Sequence, residues 1–194
     1  MPLITSKSSS ITYLNFYQSL EKMSFAFGHL IGAWCAGKLY QYLSKQKISH
    51  TAWFFLLLGG ILPDSDFLLD WIFGYDTHRT FTHSFFFLLL IPIIIYLIFS
   101  LLKSAEKKQC ALLIGLGMST HLILDGFSTY GVPLLWPSLG YYSFLSGFNP
   151  HIPEGGMLSA GAETLRQSVK RAIFDMGLGT AWIFYLWFRK RIEF

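Results

Sequence analysis

The segment from residue 64 to residue 83 reads DSDFLLDWIFGYDTHRTFTH and separates two strongly apolar runs. It places two carboxylates, Asp64 and Asp66, and two imidazoles, His78 and His83, in a chain that is only 13% charged. Ionisable groups at the ends of membrane-length apolar segments are costly unless they pair, face a polar cavity or bind an ion. The segment therefore predicts a metal site at the point where two helices end.

Composition indicates an integral membrane protein. The 194 residues are 53% hydrophobic and 18% aromatic, which exceeds the apolar share of a usual soluble domain. Mean hydropathy is +0.44. No linker rich in Ser, Gly or Pro divides the chain, so we expect one membrane-embedded helical domain over residues 1–194.

Working outward from residues 64–83, five apolar segments predict an all-α, polytopic membrane bundle with four core spans and a C-terminal span. The third segment has 18 residues without a charge, enough to cross most of a bilayer core of roughly 30 Å at about 1.5 Å per residue. Residues 1–22 predict an interfacial helix. The aromatic-rich residues 128–171 predict an extramembrane cap. The five segments are 23–42, 52–62, 85–102, 109–127 and 172–188.

The order of these segments predicts that seven ionisable side chains meet on one side of the membrane. If the segments alternate in direction, the start of the first, the end of the second, the start of the third and the end of the fourth lie together. The opposite side holds nine of the fifteen Lys and Arg residues, which favours a multi-pass membrane protein with its site on the outer face. The seven residues are His29, Asp64, Asp66, His78, His83, His121 and Asp125.

His121 and Asp125 are the strongest local signal for a metal site. Residues four apart share one face of a helix, and both would otherwise be buried in an apolar segment. Ligands of this kind, without a thiolate, favour one or two zinc ions, with manganese or iron as alternatives. The two cysteines form no Cys-x-x-Cys motif, which argues against thiolate chemistry.

The same residues also have purely structural interpretations. A hydrogen bond between helices would explain His121 and Asp125, and helix capping would explain a carboxylate of the opening segment. Asp175 follows Arg171 by one helical turn, which predicts a local ion pair outside the site. His151 lies on the same side as the site but in a loop, and its role stays open.

Five motifs follow one another along the chain: Gly28-His29, Leu62-Pro63-Asp64-Ser65-Asp66, His78-Arg79-Thr80-Phe81-Thr82-His83-Ser84, His121-Leu122-Ile123-Leu124-Asp125 and Tyr130-Gly131-Val132-Pro133-Leu134-Leu135-Trp136-Pro137. In order and spacing they resemble the motifs of the YdjM-like membrane-bound metal-dependent hydrolases. The resemblance covers residues 24–145 and implies a helical inner-membrane protein with a His/Asp metal centre and hydrolytic activity. Phe67 stands where that family often has a histidine, so a ligand at that position is absent here.

A more distant resemblance concerns the order of the ligands alone. The series of His and Asp is similar to that of the zinc-dependent phospholipase C and nuclease fold. This chain has no convincing later His-x-x-x-Glu motif, which argues against a third ion.

The predicted reaction is metal-assisted hydrolysis of an ester, with a phosphoester of a lipid or lipid-linked substrate favoured. A divalent ion activates water, so no Ser or Cys nucleophile is needed. Asp64 or Asp66, whichever is not a full ligand, is the predicted general base. Arg79 is predicted to neutralise charge on the phosphoryl oxygens.

The expected partners are membrane lipid and a small-molecule or lipid-linked substrate. Nucleic acid is not expected despite a net charge of +4, because the Lys and Arg residues are scattered beside apolar runs. A non-enzymatic protein that binds or transports metal is the alternative, since transport pathways also use intramembrane His and Asp. It is less favoured because no comparable polar residues continue to the other face.

Overall fold

The computed structural model describes residues 26–66, 80–127, 131–138, 140–145, 147–149 and 162–188. These residues form a mainly helical fold, which confirms the all-α prediction. The last helix begins ten residues before the predicted start at residue 172, and the other helix bounds agree within a few residues. The helices are α1 (Ala26–Ser44), α2 (His50–Ile61), α3 (Phe85–Leu101), α4 (Lys107–Gly126) and α5 (Ala162–Phe188).

Local sequence explains where the helices around residues 64–83 begin and end. The Ser84 hydroxyl caps α3 by accepting the N–H of Phe87. Pro63 follows the end of α2 and lies near the start of the next turn, where its missing N–H costs no helical hydrogen bond. The chain then continues as a 3-10 turn, Leu62–Ser65, and a second 3-10 turn, Phe81–His83, precedes α3. Asp64 and His83 are therefore carried by short turns at helix ends.

Helices α2 and α4 cross closely because glycines line their contact. A Cβ atom on Gly117 would lie 2.1 Å from the carbonyl oxygen of Leu56, and one on Gly59 would lie 2.3 Å from that of Ile114. No other residue type fits at such separations, and small residues allow helix backbones to approach. The crossing brings the end of α2 against the second half of α4.

The buried core joins α1, α2 and α4. It includes Ala33, Leu56, Cys110 and Leu113, each of which is fully buried. Helix α3 packs beside α4 but contributes no buried residue of its own. The central helix of the described fold is thus α4, which also carries His121 and Asp125.

A short antiparallel hairpin lies over the ends of α3 and α4. Its strands are β1 (Tyr141–Ser143) and β2 (Gly147–Asn149). The N–H of Phe144 donates to the Gly126 carbonyl at 2.8 Å. The preceding segment joins α3 in the same way, because the N–H of Phe85 donates to the Leu134 carbonyl at 2.9 Å. The segment predicted as a cap contains this hairpin and the first ten residues of α5.

Among the described residues, no helix combines the length and the apolar character needed to cross a membrane. The prediction of five spans therefore has no support from these helices. The interfacial helix predicted for residues 1–22 lies outside the described residues.

Candidate metal centre

Four of the sequence-predicted residues meet where α2 ends and α3 begins. Asp64 comes from the turn after α2, His83 from the turn before α3, and His121 and Asp125 from α4. One ligand atom from each lies within 4.8 Å of the others. His83, His121 and Asp125 are buried, and the side chain of Asp64 is 14% exposed. We call these four residues the metal cluster.

Most distances within the metal cluster are almost equal. The His83 Nε2 atom is 3.3 Å from His121 Nε2, 3.4 Å from Asp64 Oδ1 and 3.3 Å from Asp125 Oδ2. The His121 Nε2 atom is 3.5 Å from each of the same two carboxylate oxygens. Nitrogen and oxygen ligands about 2.0–2.1 Å from a tetrahedral ion would lie roughly 3.3–3.4 Å from one another. The spacing of the cluster therefore fits one ion.

The His121 ring is oriented by the backbone of α2. Its Nδ1 atom lies 2.8 Å from the Gly60 carbonyl oxygen, which can only accept, so Nδ1 carries the hydrogen. In the neutral ring, Nε2 then has a lone pair directed into the metal cluster. The glycine-lined crossing of α2 and α4 makes this contact possible, because it brings Gly60 within reach of α4.

The His83 ring is oriented by a chain of two side chains. The Thr82 hydroxyl donates to Asp66 Oδ2 at 2.6 Å and lies 3.0 Å from His83 Nδ1. Because its one hydrogen is given to Asp66, the hydroxyl accepts from Nδ1–H, and Nε2 of the neutral ring again has a lone pair. A histidine that donates its second N–H to an acceptor of this kind is typical of metal sites.

The Nε2 atoms of His83 and His121 indicate whether a cation fits the metal cluster. Two nitrogen lone pairs at 3.3 Å cannot hydrogen-bond to each other, and both are buried. A metal ion, or a proton in its absence, resolves this conflict. The Asp64 and Asp125 carboxylates lie close to both Nε2 atoms and supply the compensating negative charge. The cluster therefore fits a divalent cation by ligand type, spacing and charge.

The electrostatics of the two turns agree with this conclusion. Burial by itself lowers the pKa of His83, but hydrogen bonds to the Asp125 and Asp64 carboxylates outweigh burial and raise that pKa above its usual value. Burial likewise raises the pKa of Asp64, but hydrogen bonds from the His121 and His83 rings hold it well below its usual value. The site therefore favours positive charge on its nitrogens and negative charge on its oxygens.

His29 lies against the metal cluster from a third helix. Its ring stacks on that of His121, with centroids 3.8 Å apart and 22° between planes. Its Nε2 atom is 3.4 Å from Asp125 Oδ1, the carboxylate oxygen other than the one facing His83. The ring is buried, and its Nδ1 atom has no hydrogen-bond partner among the described residues. His29 is therefore not one of the four cluster residues, but it contacts the carboxylate of Asp125, which is.

Of three further predicted residues, the structure describes only Asp66. Asp66 is buried and bound to Thr82, with its Oδ2 atom 3.7 Å from His83 Nδ1, so it lies behind the ring. His78 and Arg79 lie outside the described residues. The sequence analysis did not predict that Gly60 and Thr82 orient the rings of His121 and His83. The position of Thr82 directly before His83 was a usable signal, whereas the Gly60 contact depends on the helix crossing.

An apolar groove of about 400 Å³ lies between α3, α4 and the hairpin. Phe85 and Leu88 line it from α3, and Leu122 and Gly126 from α4. The last two each follow a cluster residue of α4 directly in sequence. Helix α4 thus presents ligands on one face and a groove wall on another.

Comparison with known proteins agrees with these features. The family model described as "YdjM inner membrane protein" matches residues 23–192. A protein of Bacillus subtilis (strain 168), described as "Uncharacterized protein YvsG", is 37% identical over 81 residues. That match covers 42% of this chain and 45% of the relative, so it spans less than half the length of either. No solved structure matches the chain. Since the family model covers nearly the whole chain, including every member of the metal cluster, this protein belongs to the YdjM inner membrane protein family.

Proposed function

We propose that this protein is a membrane-bound metal-dependent hydrolase that uses activated water to cleave a phosphoester of a lipid or lipid-linked substrate. The proposal is supported above all by the two Nε2 atoms that face each other at 3.3 Å between two carboxylates. A metal ion between these nitrogens and carboxylates would use both lone pairs and both negative charges. Catalytic zinc sites typically hold the ion by three protein ligands of these types and keep the fourth position for water.

Zinc is the proposed ion, with manganese and iron as alternatives. Two imidazoles and two carboxylates at nearly tetrahedral spacing suit zinc, whereas magnesium and calcium prefer oxygen ligands alone. Affinity order does not select the metal in a cell. One ion fits the spacing of the four residues of the cluster.

The side chains have distinct proposed roles. When bound, a divalent ion supplies a nucleophile at neutral pH by lowering the pKa of water from about 15.7 towards 7. Asp64 has the most exposed side chain of the metal cluster, so we assign it to accept a proton from water at the fourth position of the ion, with His83, His121 and Asp125 as the three protein ligands. Asp66 is assigned to hold His83 through Thr82, and Arg79 to neutralise phosphoryl charge.

The apolar surface supports a membrane location and a lipid substrate. Leu89 and Ile93 of α3 are 66% and 55% exposed, and Ile173 and Phe174 of α5 are 63% and 66% exposed. Large exposed apolar patches mark membrane or protein contacts, and the family is described as inner membrane protein. A multi-pass arrangement with the site on the outer face belongs to the same proposal.

A turnover screen tests the reaction. Metal-loaded protein in detergent is assayed with phospholipids, lipid-linked phosphates and soluble phosphodiesters, alongside Asp64→Asn and the control Glu106→Gln, a carboxylate at the opposite end of α4 from the metal cluster. Asp64→Asn is expected to lose at least 100-fold in turnover, a loss in the range of general-base catalysis. Full turnover in Asp64→Asn would refute this site, and metal binding without turnover of any ester would favour the non-enzymatic alternative.

A further inference from the structure

Asp175 of α5 caps the first turn of α1 from a distance of nearly 150 residues. Its Oδ2 atom accepts the N–H of Phe27 at 3.0 Å, and its Oδ1 atom accepts the N–H of Gly28 at 3.2 Å. The first amides of a helix have no partner within it, and the positive end of the helix dipole favours an anion. The carboxylate is buried, which strengthens both effects. The ion pair with Arg171 that the sequence suggested stays a prediction, because the side chain of Arg171 lies outside the described part of the structure.

Two further contacts hold α5 on α1 along the same side. A Cβ atom on Gly179 would lie 2.1 Å from the ring of Phe27, so the glycine leaves room for that ring. The Trp182 ring meets that of Trp34 edge-to-face at 5.8 Å. Asp175, Gly179 and Trp182 are spaced by four and three residues, as expected for one face of a helix. On this face, the Asp175 carboxylate makes the polar contact, which is to the backbone of α1.

The capped turn carries His29 directly into the metal cluster. His29 follows Gly28, whose N–H is held by Asp175. It then contacts Asp125 at 3.4 Å and stacks on His121 at 3.8 Å. Any rotation of the first turn of α1 would therefore move the ring that engages the Oδ1 atom of Asp125.

We infer that Asp175 is a positioning residue of the metal centre, which holds His29 against Asp125 and so tightens metal binding. The inference rests on the proposed metal site. Asp125 faces His83 with Oδ2 and His29 with Oδ1, so His29 fixes the rotation of a ligand carboxylate. Outer contacts of this kind change metal affinity by about 10–100-fold. Asp175 acts one step further out, through the backbone that carries His29.

The test is a double-mutant cycle on zinc affinity, measured by chelator competition with the full chain in detergent. The variants are Asp175→Ala, His29→Ala and the double variant. Each single variant is expected to weaken zinc binding about 10-fold, and the double variant no more than His29→Ala alone, because both changes remove the same contact. Thr180→Ala is the matched control, since its hydroxyl donates to the Met176 carbonyl within α5.

Asp175→Asn is a second, milder variant that keeps the test valid if Asp175→Ala does not fold. Its amide keeps one acceptor oxygen for one of the two N–H groups, so the loss of affinity is expected to lie between wild type and alanine. Wild-type zinc affinity in both Asp175 variants would overturn the inference, and so would losses that add fully in the double variant. The proposed metal site would survive either result as long as His121→Ala abolished binding. Absence of zinc binding in the wild type would overturn both.

Discussion

Helices α3 and α4 lie side by side, and their sequences give opposite impressions of which is the core. Helix α3 is strongly apolar and without charge, yet none of its residues is fully buried. Helix α4 contains glycines, His121 and Asp125, yet ten of its residues are buried. The apolar helix is directed outward, and the helix with polar groups forms the centre. In this pair of helices, the strongly apolar sequence belongs to the helix that faces outward, whereas glycine and ionisable residues belong to the helix that is buried.

A matched pair of leucines gives the largest expected difference between the two helices. Leu113→Ala on α4 removes a fully buried side chain and should lower the free energy of unfolding by about 2–5 kcal/mol. Leu89→Ala on α3 removes a side chain that is 66% exposed and should change it by less than about 0.5 kcal/mol. Denaturant unfolding of both variants in the same detergent measures this. Equal losses would show that α3 is as much a part of the core as α4.

A matched pair of glycines sharpens the account of the helix crossing. Gly117→Ala would place a Cβ atom against the Leu56 carbonyl and should destabilise the fold by about 1–3 kcal/mol. Gly177→Ala on α5 meets nothing within 4 Å and should stabilise it by about 0.5–1 kcal/mol. Thermal unfolding of the two variants checks the opposite signs. A neutral Gly117→Ala would contradict the close crossing that lets Gly60 orient His121.

Thr82→Val tests whether the orientation of His83 depends on its outer partner. The change removes the hydroxyl between His83 and Asp66 while keeping nearly the same volume. We expect zinc affinity to fall about 10-fold, at the lower end of outer-contact effects. Thr120→Val is the control, because that hydroxyl donates to the Leu116 carbonyl of its own helix. Similar affinities in the two variants would mean that Thr82 does not orient the ligand.

The pH dependence of zinc affinity gives a smaller and graded effect. The pKa of His83 is raised above its usual 6.5, so a proton competes with the ion in the folded protein. Affinity should therefore increase with pH above 6.5, by up to about tenfold per unit for each proton released, and level off above the raised pKa. Without metal, the stability that this histidine contributes is full below pH 6.5 and is lost as pH rises through the raised pKa. Affinity independent of pH over this range would contradict a protonated empty site.

The sequence predicted the cluster well where a signal was local. His121 and Asp125 are one helical turn apart, and Pro63 sets the turn that carries Asp64. The outer contacts were not predictable, because they join residues 61 and 148 positions apart through tertiary packing. Asp66 illustrates the limit. Its type and spacing predicted a ligand, but the side chain is bound to Thr82 behind the His83 ring, and spacing alone does not distinguish the two arrangements.

The most direct test of the account is the metal content of the purified protein. Wild type and His50→Ala, an exposed histidine at the start of α2, are compared with His121→Ala and Asp125→Ala by elemental analysis after exposure to zinc and removal of unbound ion. The account predicts about one ion per chain in wild type and His50→Ala, and almost none in the two cluster variants. Wild type without stoichiometric metal, or cluster variants that retain it, would contradict the metal centre.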